Sequence, residues 1–249
     1  MALSIGVLGA SGAMGTLVCD AIAAAEDLRL AVAVAAESGS SASGVAFRAV
    51  GPGVFDGADV VVDFSTPAAL KAALPHLDGV PLVTGTTGLA AATQAAVEGH
   101  ARTAPLLQAA NFSTGVNVLL DLVQRAVAAL PDADVELVEV HHRRKVDAPS
   151  GTALALGAAA RRGRPELQAV HGRGGQVGPR GSQELGYHAV RGGDVAGDHT
   201  VWLLADGERV ALQHVASSRR TFALGALRAA RWLADKPSGT YTMRDVLSL

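Results

Sequence analysis

Apolar and amphipathic segments alternate over the first half of the chain. Short runs of apolar and β-branched residues, bounded by loop residues, have the pattern of strands buried on both faces of a sheet. These runs are residues 3–8, 28–34, 59–64 and 80–84. A first helix is predicted from apolar residues at helical spacing, which are Leu17, Val18, Ala21, Ile22 and Ala25. With a crossover helix over residues 67–77, the alternation predicts an α/β fold with a Rossmann-like, doubly wound parallel sheet.

The pattern changes after residue 111, where a different domain is predicted to begin. Apolar residues from Val116 to Val127 form one stripe of a helix, and residues 152–162 predict another. Residues 172–181 are a glycine-rich loop. Further runs alternate like strands of an antiparallel or mixed sheet, and they are residues 135–140, 187–191, 199–204 and 210–214. A closing helix over residues 222–232 is expected to pack back on the first domain.

Composition and charge exclude several classes of protein. The 249 residues suffice for one large domain or two smaller ones, and a net charge of −2 leaves no basic excess for gripping nucleic acid. No apolar run approaches the roughly 18 to 20 residues of a membrane helix, and the first residues lack the basic start of a secretory signal. The single cysteine, Cys19, has no partner for an internal disulfide. A soluble cytoplasmic protein is therefore expected, with neither a nucleic-acid nor a membrane partner.

A glycine-rich turn joins the first strand to the first helix. Over residues 9–15 it has the spacing Gly-x-x-Gly-x-x-Gly, which is looser than the Gly-x-Gly-x-x-Gly of many dinucleotide-binding turns. Glycines let such a turn approach a pyrophosphate, whose charge the free amides and the positive end of the helix dipole receive. The alternative is a tight strand-to-helix connection that needs glycine for packing.

Two further segments fit a dinucleotide site. Glu37 lies 22 residues beyond Gly15, at the end of the second strand, where an acidic side chain accepts hydrogen bonds from an adenosine ribose. Ser38 stands where an arginine would grip a 2′-phosphate, so NADH is slightly favoured over NADPH. Residues 85–88, Gly-Thr-Thr-Gly, follow the fourth strand and fit the nicotinamide side. A solvated loop carboxylate and a plain turn are the respective alternatives.

The stretch with the most candidate chemistry, EVHHRRKVDAPSGT, begins at Glu139 and joins a strand to a helix. His141 and His142 can deliver a proton near neutral pH, and Lys145 supplies a point charge with three hydrogen-bond donors. Ser150 opens the helix, whose N-terminus adds hydroxyls and free amides. Together these groups suit a dicarboxylate that must also be protonated.

Each part of this stretch has a simpler explanation. A His-His pair occurs in metal sites, but no third ligand stands at zinc spacing. A basic run is commonly a solvated loop, and Ser-Gly-Thr is an ordinary helix cap. Their adjacency, downstream of a dinucleotide-binding pattern, favours a functional site without a metal.

Residues 141–154, HHRRKVDAPSGTAL, resemble the signature of the dihydrodipicolinate reductase family. Other segments resemble blocks of that family in the same order along the chain, and they are residues 9–15, 62–67, 85–88, 111–116, 188–194 and 241–246. The resemblance implies a dinucleotide-binding domain made of residues 1–111 and 221–249. Residues 112–220 would then form a central α+β domain, with a mixed sheet, for substrate binding and tetramerisation. A cyclic dicarboxylate substrate and a homotetramer are implied as well.

The resemblance also implies a reaction, which is NAD(P)H-dependent reduction of 4-hydroxy-tetrahydrodipicolinate to tetrahydrodipicolinate in lysine and diaminopimelate biosynthesis. His141 is expected to protonate the carbon next to the one that receives hydride, and Lys145 to assist and to hold a carboxylate. The expected substrate-binding residues are His142, Ser150, Gly151 and Thr152. The expected cofactor-binding residues are Gly9, Ala10, Ser11, Gly12, Ala13, Met14, Glu37, Gly85, Thr86, Thr87, Ala109, Ala110, Asn111 and Phe112.

Two positions depart from the family pattern, and two other functions stay open. Ala110 stands where the family commonly has proline, and Ser38 where some members have arginine. A dehydrogenase of another small amino-acid-derived acid would need a catalytic cysteine or a lysine pair in the second domain. Cys19 instead lies on the apolar face of the first helix, where a structural thiol is expected. A non-catalytic dinucleotide sensor would lack the acid or the carboxylate clamp.

Overall fold

The computed structural model describes residues 2–249, which form two compact units. The first comprises the chain up to residue 114 together with residues 219–248, and the second comprises residues 115–218. Within residues 2–249, no helix has the length and apolar character required to cross a bilayer.

Twelve strands and seven α-helices make up the regular structure of the described residues. The strands are β1 (Leu3–Leu8), β2 (Leu28–Val34), β3 (Phe47–Arg48), β4 (Val60–Asp63), β5 (Leu82–Thr84), β6 (Pro105–Gln108), β7 (Asp134–His141), β8 (Gln168–His171), β9 (Glu184–Arg191), β10 (Asp198–Ala205), β11 (Glu208–Val215) and β12 (Gly239–Tyr241). The helices are α1 (Ala13–Ala23), α2 (Pro67–Ala73), α3 (Ala91–His100), α4 (Thr114–Ala129), α5 (Gly151–Gly163), α6 (Arg220–Leu233) and α7 (Met243–Leu247). A short 3-10 helix, Leu74–His76, continues α2.

The first unit is built on a seven-stranded parallel sheet. Its strand order is β12-β6-β5-β4-β1-β2-β3, and every neighbouring pair is parallel. The central strands are buried on both faces because their residues are almost all aliphatic, as Val60–Val62 in β4 illustrate. Helix α6 packs against α1, and both contribute to one core with Ile22, Ala226 and Leu227. The predicted doubly wound parallel sheet is confirmed.

Several elements of this unit were not foreseen from the sequence. Helix α3 buries Thr93 and Val97, so its apolar stripe is too narrow to stand out. Strands β3 and β12 are two and three residues long, below the length at which alternation can be recognised. The assignment of Ala25 to the first helix was wrong, because α1 ends at Ala23 and the chain turns there toward β2.

The second unit is built on a five-stranded mixed sheet of order β11-β10-β7-β9-β8. Strands β7, β8 and β9 run parallel, while β10 is antiparallel to both of its neighbours. Buried and half-buried residues alternate along β7, so one face of the sheet packs on a helical layer. That core joins Leu137 of β7 to Val123 of α4 and Leu156 of α5. The predicted mixed sheet is confirmed.

The glycine-rich loop between β8 and β9 is held to the sheet by carboxylates of β7 and β9, which are Asp134, Glu136 and Glu184. Glu136 accepts two hydrogen bonds from Arg173 at 2.9 Å each, one from Arg180 at 2.9 Å and one from His188 at 2.7 Å. Gly186 leaves the space for this carboxylate, because a Cβ there would lie 1.9 Å from Glu136 Oε2. The loop is therefore anchored by charge-assisted hydrogen bonds rather than by apolar packing.

Glu136 makes the unfolding free energy sensitive to acid. Burial raises its pKa, but the hydrogen bonds from Arg173, His188 and Arg180 outweigh this and lower the pKa from 4.5 to about 2. Because the folded-state pKa is depressed, the stabilisation is present above pH 4.5 and is lost as the pH falls toward about 2. The unfolding free energy is measured by urea denaturation at a series of pH values. Glu136→Gln is expected to reduce the loss of this free energy as the pH falls from 4.5 toward about 2, and exposed Glu208→Gln is the control. An unchanged acid limb in Glu136→Gln would contradict the assignment.

Candidate active site

The predicted glycine turn lies at the carboxyl end of β1 and is tightly packed. Gly9 has φ +84°, and its amide and that of Ala10 donate to Val34 O at 2.9 Å. A Cβ on Gly15 would lie 2.0 Å from Gly9 O, so the first turn of α1 packs directly on the glycine turn. Gly12 occupies the N-cap position of α1 without a side-chain cap. The first amides of α1 therefore receive no hydrogen bond from an N-cap side chain.

A cleft of about 440 Å³ opens beside this turn and contains Glu37. Ser11 Oγ donates to Glu37 Oε2 at 2.6 Å, and this hydrogen bond lowers the pKa of the carboxyl group. The side chain is fully exposed, so Glu37 is ionised at neutral pH and accessible to a ligand. Apolar residues form much of the remaining lining, including Val34, Val50 and the ring of Phe64. An anionic rim on an apolar cleft fits an adenosine, whose ribose hydroxyls donate and whose base packs on apolar surface.

The other predicted cofactor segments lie together at the carboxyl edge of the same sheet. A cleft of about 310 Å³ is lined by Met14, Gly85, Thr87 and residues 110–112. Thr86 and Ala109 line a neighbouring cleft of about 400 Å³ with Thr87 and Ala110. The structure thus brings the segments 85–87 and 109–112 side by side, as their separate predictions required. Phe112 is buried, and its ring meets that of Phe64 edge to face at 5.5 Å.

The residues of the second unit surround a buried imidazole. His141 ends β7 and is 8% exposed, and its Nδ1 is hydrogen-bonded to the carboxylate of Glu139. Glu139 is fully buried and also accepts two hydrogen bonds from Arg191, at 2.7 and 2.9 Å. Burial raises the pKa of Glu139, but the hydrogen bonds from Arg191 and His141 prevail and hold it below its usual range. The carboxylate therefore stays ionised and fixes the orientation of the His141 ring.

Ser150 connects the Glu139–His141 pair to the start of α5. Its amide donates to Glu139 at 3.2 Å, and its hydroxyl accepts from Ala153 N at 3.2 Å as the N-cap of α5. The same hydroxyl is hydrogen-bonded to His199 Nε2 at 3.1 Å. Ser150 is 2% exposed and its polar groups are engaged within the unit. Its contribution here is to hold the start of α5 against the Glu139–His141 pair.

His199 is a second, chemically different imidazole in this cluster. Its ring meets that of His141 edge to face at 5.1 Å. Burial, assisted by repulsion from His141, lowers its pKa from 6.5 to about 4, so the ring is neutral at pH 7. Its buried Nδ1 lacks a hydrogen-bond partner among residues 2–249. Of the two rings, His141 is the one whose Nδ1 is hydrogen-bonded to a carboxylate.

The loop between β7 and α5 carries the cationic residues. Lys145 Nζ is hydrogen-bonded to both carboxylate oxygens of Asp147, at 2.8 and 2.9 Å. His142 is half-buried and its amide donates to Val195 O at 2.9 Å. Gly151 is exposed at the first position of α5, and Thr152 follows it. The predicted substrate residues therefore share one loop and one helix start, which is where an anion is best received.

Three residues of this cluster had no predicted role. Glu139 lies two positions before His141 on a strand, so period-two alternation was the signal that places both on one face. Arg191 stands opposite His141 in the pairing of β7 with β9, which sequence alone does not reveal. His199 reaches the cluster from β10. Among the described residues, no group of three or more His, Cys, Asp or Glu side chains could hold a metal ion.

Sheets with the strand order of the first unit bind dinucleotides across the carboxyl ends of their strands. The second unit supplies a buried imidazole held by a carboxylate, an arrangement that is able to donate a proton. This combination defines the class of dinucleotide-dependent oxidoreductases.

Comparison with known proteins identifies the family. Residues 3–112 match the model described as dihydrodipicolinate reductase, N-terminus, and residues 115–247 match the model of its C-terminus. The chain therefore belongs to the dihydrodipicolinate reductase family.

Relatives and a solved structure agree with this assignment. The 4-hydroxy-tetrahydrodipicolinate reductase of Thiobacillus denitrificans is 44% identical over 266 residues, with all of both chains covered. That of Chromobacterium violaceum is 45% identical over 269 residues, again over the whole of both chains. A dipicolinate-bound dihydrodipicolinate reductase from Paenisporosarcina sp. TG-14 has the same fold, with a TM-score of 0.78, 21% identity, and coverage of 97% of this chain and 98% of that one.

Proposed function

We propose that this chain catalyses the NAD(P)H-dependent reduction of 4-hydroxy-tetrahydrodipicolinate to tetrahydrodipicolinate, the reaction named for its whole-length relatives. The observation that carries the proposal is the Glu139–His141 pair beside the N-terminus of α5, a buried proton donor next to a place for an anion. In this proposal the first unit holds the dinucleotide, and the second binds substrate. The dipicolinate bound by the structurally similar reductase is a cyclic dicarboxylate of the same kind as the proposed substrate.

His141 is the general acid of the proposed reaction. Its Nδ1 is held by Glu139, so Nε2 is the ring nitrogen left to deliver a proton. Arg191 keeps the Glu139 carboxylate in place and ionised, so that the carboxylate orients the ring for this transfer. A bound NADH or NADPH would supply the hydride to the carbon next to the one that His141 protonates. Loss of the 4-hydroxyl as water precedes this reduction in the proposed sequence.

The carboxylates of the substrate are received by Lys145 and the start of α5. Release of Lys145 from Asp147 would free its ammonium for a carboxylate, at the cost of an exposed ion pair worth little in water. Helix α5 begins at Gly151 and Thr152, where the positive end of its dipole favours a carboxylate. Ser150 acts by fixing that helix start. His142 lies on the same loop, where its side chain is proposed to contact the substrate.

The dinucleotide fits the first unit through three features of the chain. The glycine turn leaves amides of α1 for a pyrophosphate, Glu37 stands at the adenosine cleft, and the segments 85–87 and 109–112 line the clefts farther along the sheet edge. NADH is the favoured form because the ionised Glu37 repels a 2′-phosphate, and Ser38 offers it no compensating cation. Ala110, which stands where the family commonly has proline, lines the cleft of about 310 Å³ together with Asn111 and Phe112.

The substitution Ser38→Arg is expected to shift preference toward NADPH. A guanidinium beside Glu37 would pair with a 2′-phosphate and offset the carboxylate, which is worth about tenfold in the ratio of kcat/KM for the two cofactors. The ratio is measured in steady state with each cofactor, and Ser40→Arg, three residues beyond Glu37 on the exposed segment, is the control. A ratio that moves equally in both variants would attribute the effect to net charge and refute the specificity argument.

A homotetramer is part of the proposal. The face of the mixed sheet opposite α4 and α5 exposes apolar side chains, with Val190 47%, Leu204 36% and Val215 56% exposed. Strand β11 also ends the sheet with an edge available for pairing.

The activity is tested in a coupled assay. A dihydrodipicolinate synthase makes the substrate from pyruvate and aspartate semialdehyde, and the absorbance of NADH or NADPH is followed in separate reactions. Oxidation that depends on the synthase is expected, with NADH the better donor. Absence of synthase-dependent oxidation, in protein shown to bind NADH, would transfer the assignment to another substrate or to a dinucleotide sensor.

A further inference from the structure

A fully buried carboxylate lies at the end of β4 and has no role in the reaction described above. Asp63 is 0% exposed, and both of its oxygens accept hydrogen bonds. Oδ1 accepts from Ser65 N at 2.9 Å and from Ser65 Oγ at 2.5 Å. Oδ2 accepts from Thr84 Oγ1 at 2.7 Å and from Thr86 Oγ1 at 2.8 Å. One side chain therefore joins the loop after β4 to the loop after β5.

The donors to this carboxylate are all neutral. They are hydroxyls and one backbone amide, and no ion pair reaches Asp63 within the described part of the chain. A buried carboxylate without a cation is costly, and burial raises the pKa of Asp63 against the opposing effect of its hydrogen bonds. An asparagine of the same size would offer one accepting oxygen instead of two. The arrangement thus depends on an acceptor at both positions.

Both loops held by Asp63 line the clefts assigned to the dinucleotide. Ser65 and its neighbours Phe64 and Thr66 line the cleft that contains Glu37. Thr86 lines the cleft of about 400 Å³ on the other side of β4, together with Thr87 and Gly88. Thr84, in contrast, is completely buried and lines neither cleft, so it acts only through its hydrogen bonds to Asp63 and to Thr86 N.

We infer that Asp63 is a positioning residue that sets the geometry of both halves of the dinucleotide site through Ser65 on one side and Thr86 on the other. The inference rests on the proposed use of a dinucleotide, but not on the identity of the reduced substrate. The binding of both ends of the cofactor then depends on the Asp63 carboxylate. Ser65 transmits its effect to the adenosine end, and Thr86 transmits it to the nicotinamide end. A carboxylate that merely stabilises the sheet would not produce that separation.

The test compares two ligands, NADH and ADP-ribose, which lacks the nicotinamide. We expect Asp63→Asn to raise the Kd of both by about tenfold or more, since a hydrogen bond to a charged group contributes on that order. Thr84→Val, isosteric and buried, should raise the Kd of NADH but leave the Kd of ADP-ribose unchanged. It disturbs only the hydrogen bonds that connect Asp63 and Thr86. Ser65→Ala should weaken both ligands in wild-type protein. In the Asp63→Asn background it should add little, because the two residues act as one unit.

Asp59→Asn is the matched control. Asp59 is exposed at the opposite end of β4, where its carboxylate accepts from Ser4 N, so the same substitution there should leave both Kd values unchanged. Binding of dipicolinate, used as a probe of the second unit, should be the same in every variant. If Asp63→Asn and Thr84→Val lower the unfolding temperature yet leave both dinucleotide affinities at the wild-type value, the positioning role is wrong and the carboxylate is structural.

Amide hydrogen exchange separates this inference from the proposed function. In the protein without ligand, Asp63→Asn should speed exchange in residues 65–66 and 85–87 together, while Asp59→Asn should not. Wild-type protein that binds neither NADH nor ADP-ribose would refute the dinucleotide proposal. The exchange comparison would still decide whether Asp63 holds the two loops, and unaltered exchange in both segments would overturn that claim.

Discussion

In the His141→Gln variant we expect kcat to fall by about 10²- to 10⁴-fold, the contribution of a positioned general acid, with little change in the Kd of NADH or dipicolinate. Glutamine fills a similar volume and can still donate to Glu139, but it carries no proton that it can transfer. The chemical step alone should suffer, because the residues assigned to the dinucleotide lie in the other unit and the helix start at Ser150 is untouched.

The comparison needs a matched histidine and two binding measurements. His76→Gln, in the short 3-10 helix of the first unit, makes the same chemical change away from the acid and should keep wild-type kcat. Kd values come from fluorescence of bound NADH and from calorimetry with dipicolinate. Turnover of His141→Gln at the wild-type rate would show that another group donates the proton. A parallel loss of NADH binding would show that the substitution damages more than the acid.

The fold followed from the sequence where composition alone determines an element. The strands at 3–8, 28–34 and 60–63 consist mainly of aliphatic residues, and such runs are typical of a sheet covered on both faces. The glycines at 9 and 15 were recognisable for an equally local reason, since a turn that tight excludes any side chain. Strand β12 escaped because three residues join the sheet by pairing with β6, a partner more than a hundred residues away.

The candidate site was predicted as a segment rather than as a network. His141, Lys145 and the helix start at Ser150 lie close together in sequence, so their proximity needed no fold. Arg191 was out of reach because its place beside Glu139 depends on the register between β7 and β9. The low pKa of His199 likewise comes from tertiary burial on β10. Sequence could name candidates for the reacting groups, but not the residues that hold them.

Asp63 and Glu139 show a common arrangement in the two units. Each is a completely buried carboxylate near the carboxyl end of a strand, and each gathers donors from neighbouring segments. Asp63 has neutral donors and holds backbone loops, whereas Glu139 has Arg191 and holds a titratable ring. Arg191 keeps the Glu139 carboxylate ionised despite burial. The ionised carboxylate can then influence proton transfer at the ring of His141, a role that Asp63 does not have.

The Glu139→Gln variant is expected to retain His141 but to weaken it as an acid. A glutamine keeps the volume and can hydrogen-bond the ring, yet it removes the negative charge that favours the protonated imidazole. We expect kcat to fall by about 10- to 100-fold, as for groups that orient a reacting residue. Because activity requires the protonated ring, the pH above which kcat declines should move lower, not higher. Arg191 would also lose its buried partner, so the unfolding temperature should drop.

The pH profile distinguishes this role of Glu139 from a purely structural one. Lost packing would lower kcat equally at every pH, whereas a weakened acid loses more activity on the alkaline side. Glu136→Gln is the matched control, because Glu136 lies three residues earlier on β7, on the alternate face, and binds the glycine-rich loop instead of His141. It should keep the wild-type profile near neutral pH. A Glu139→Gln profile that parallels that of wild type would leave His141 as the acid but remove Glu139 from its control.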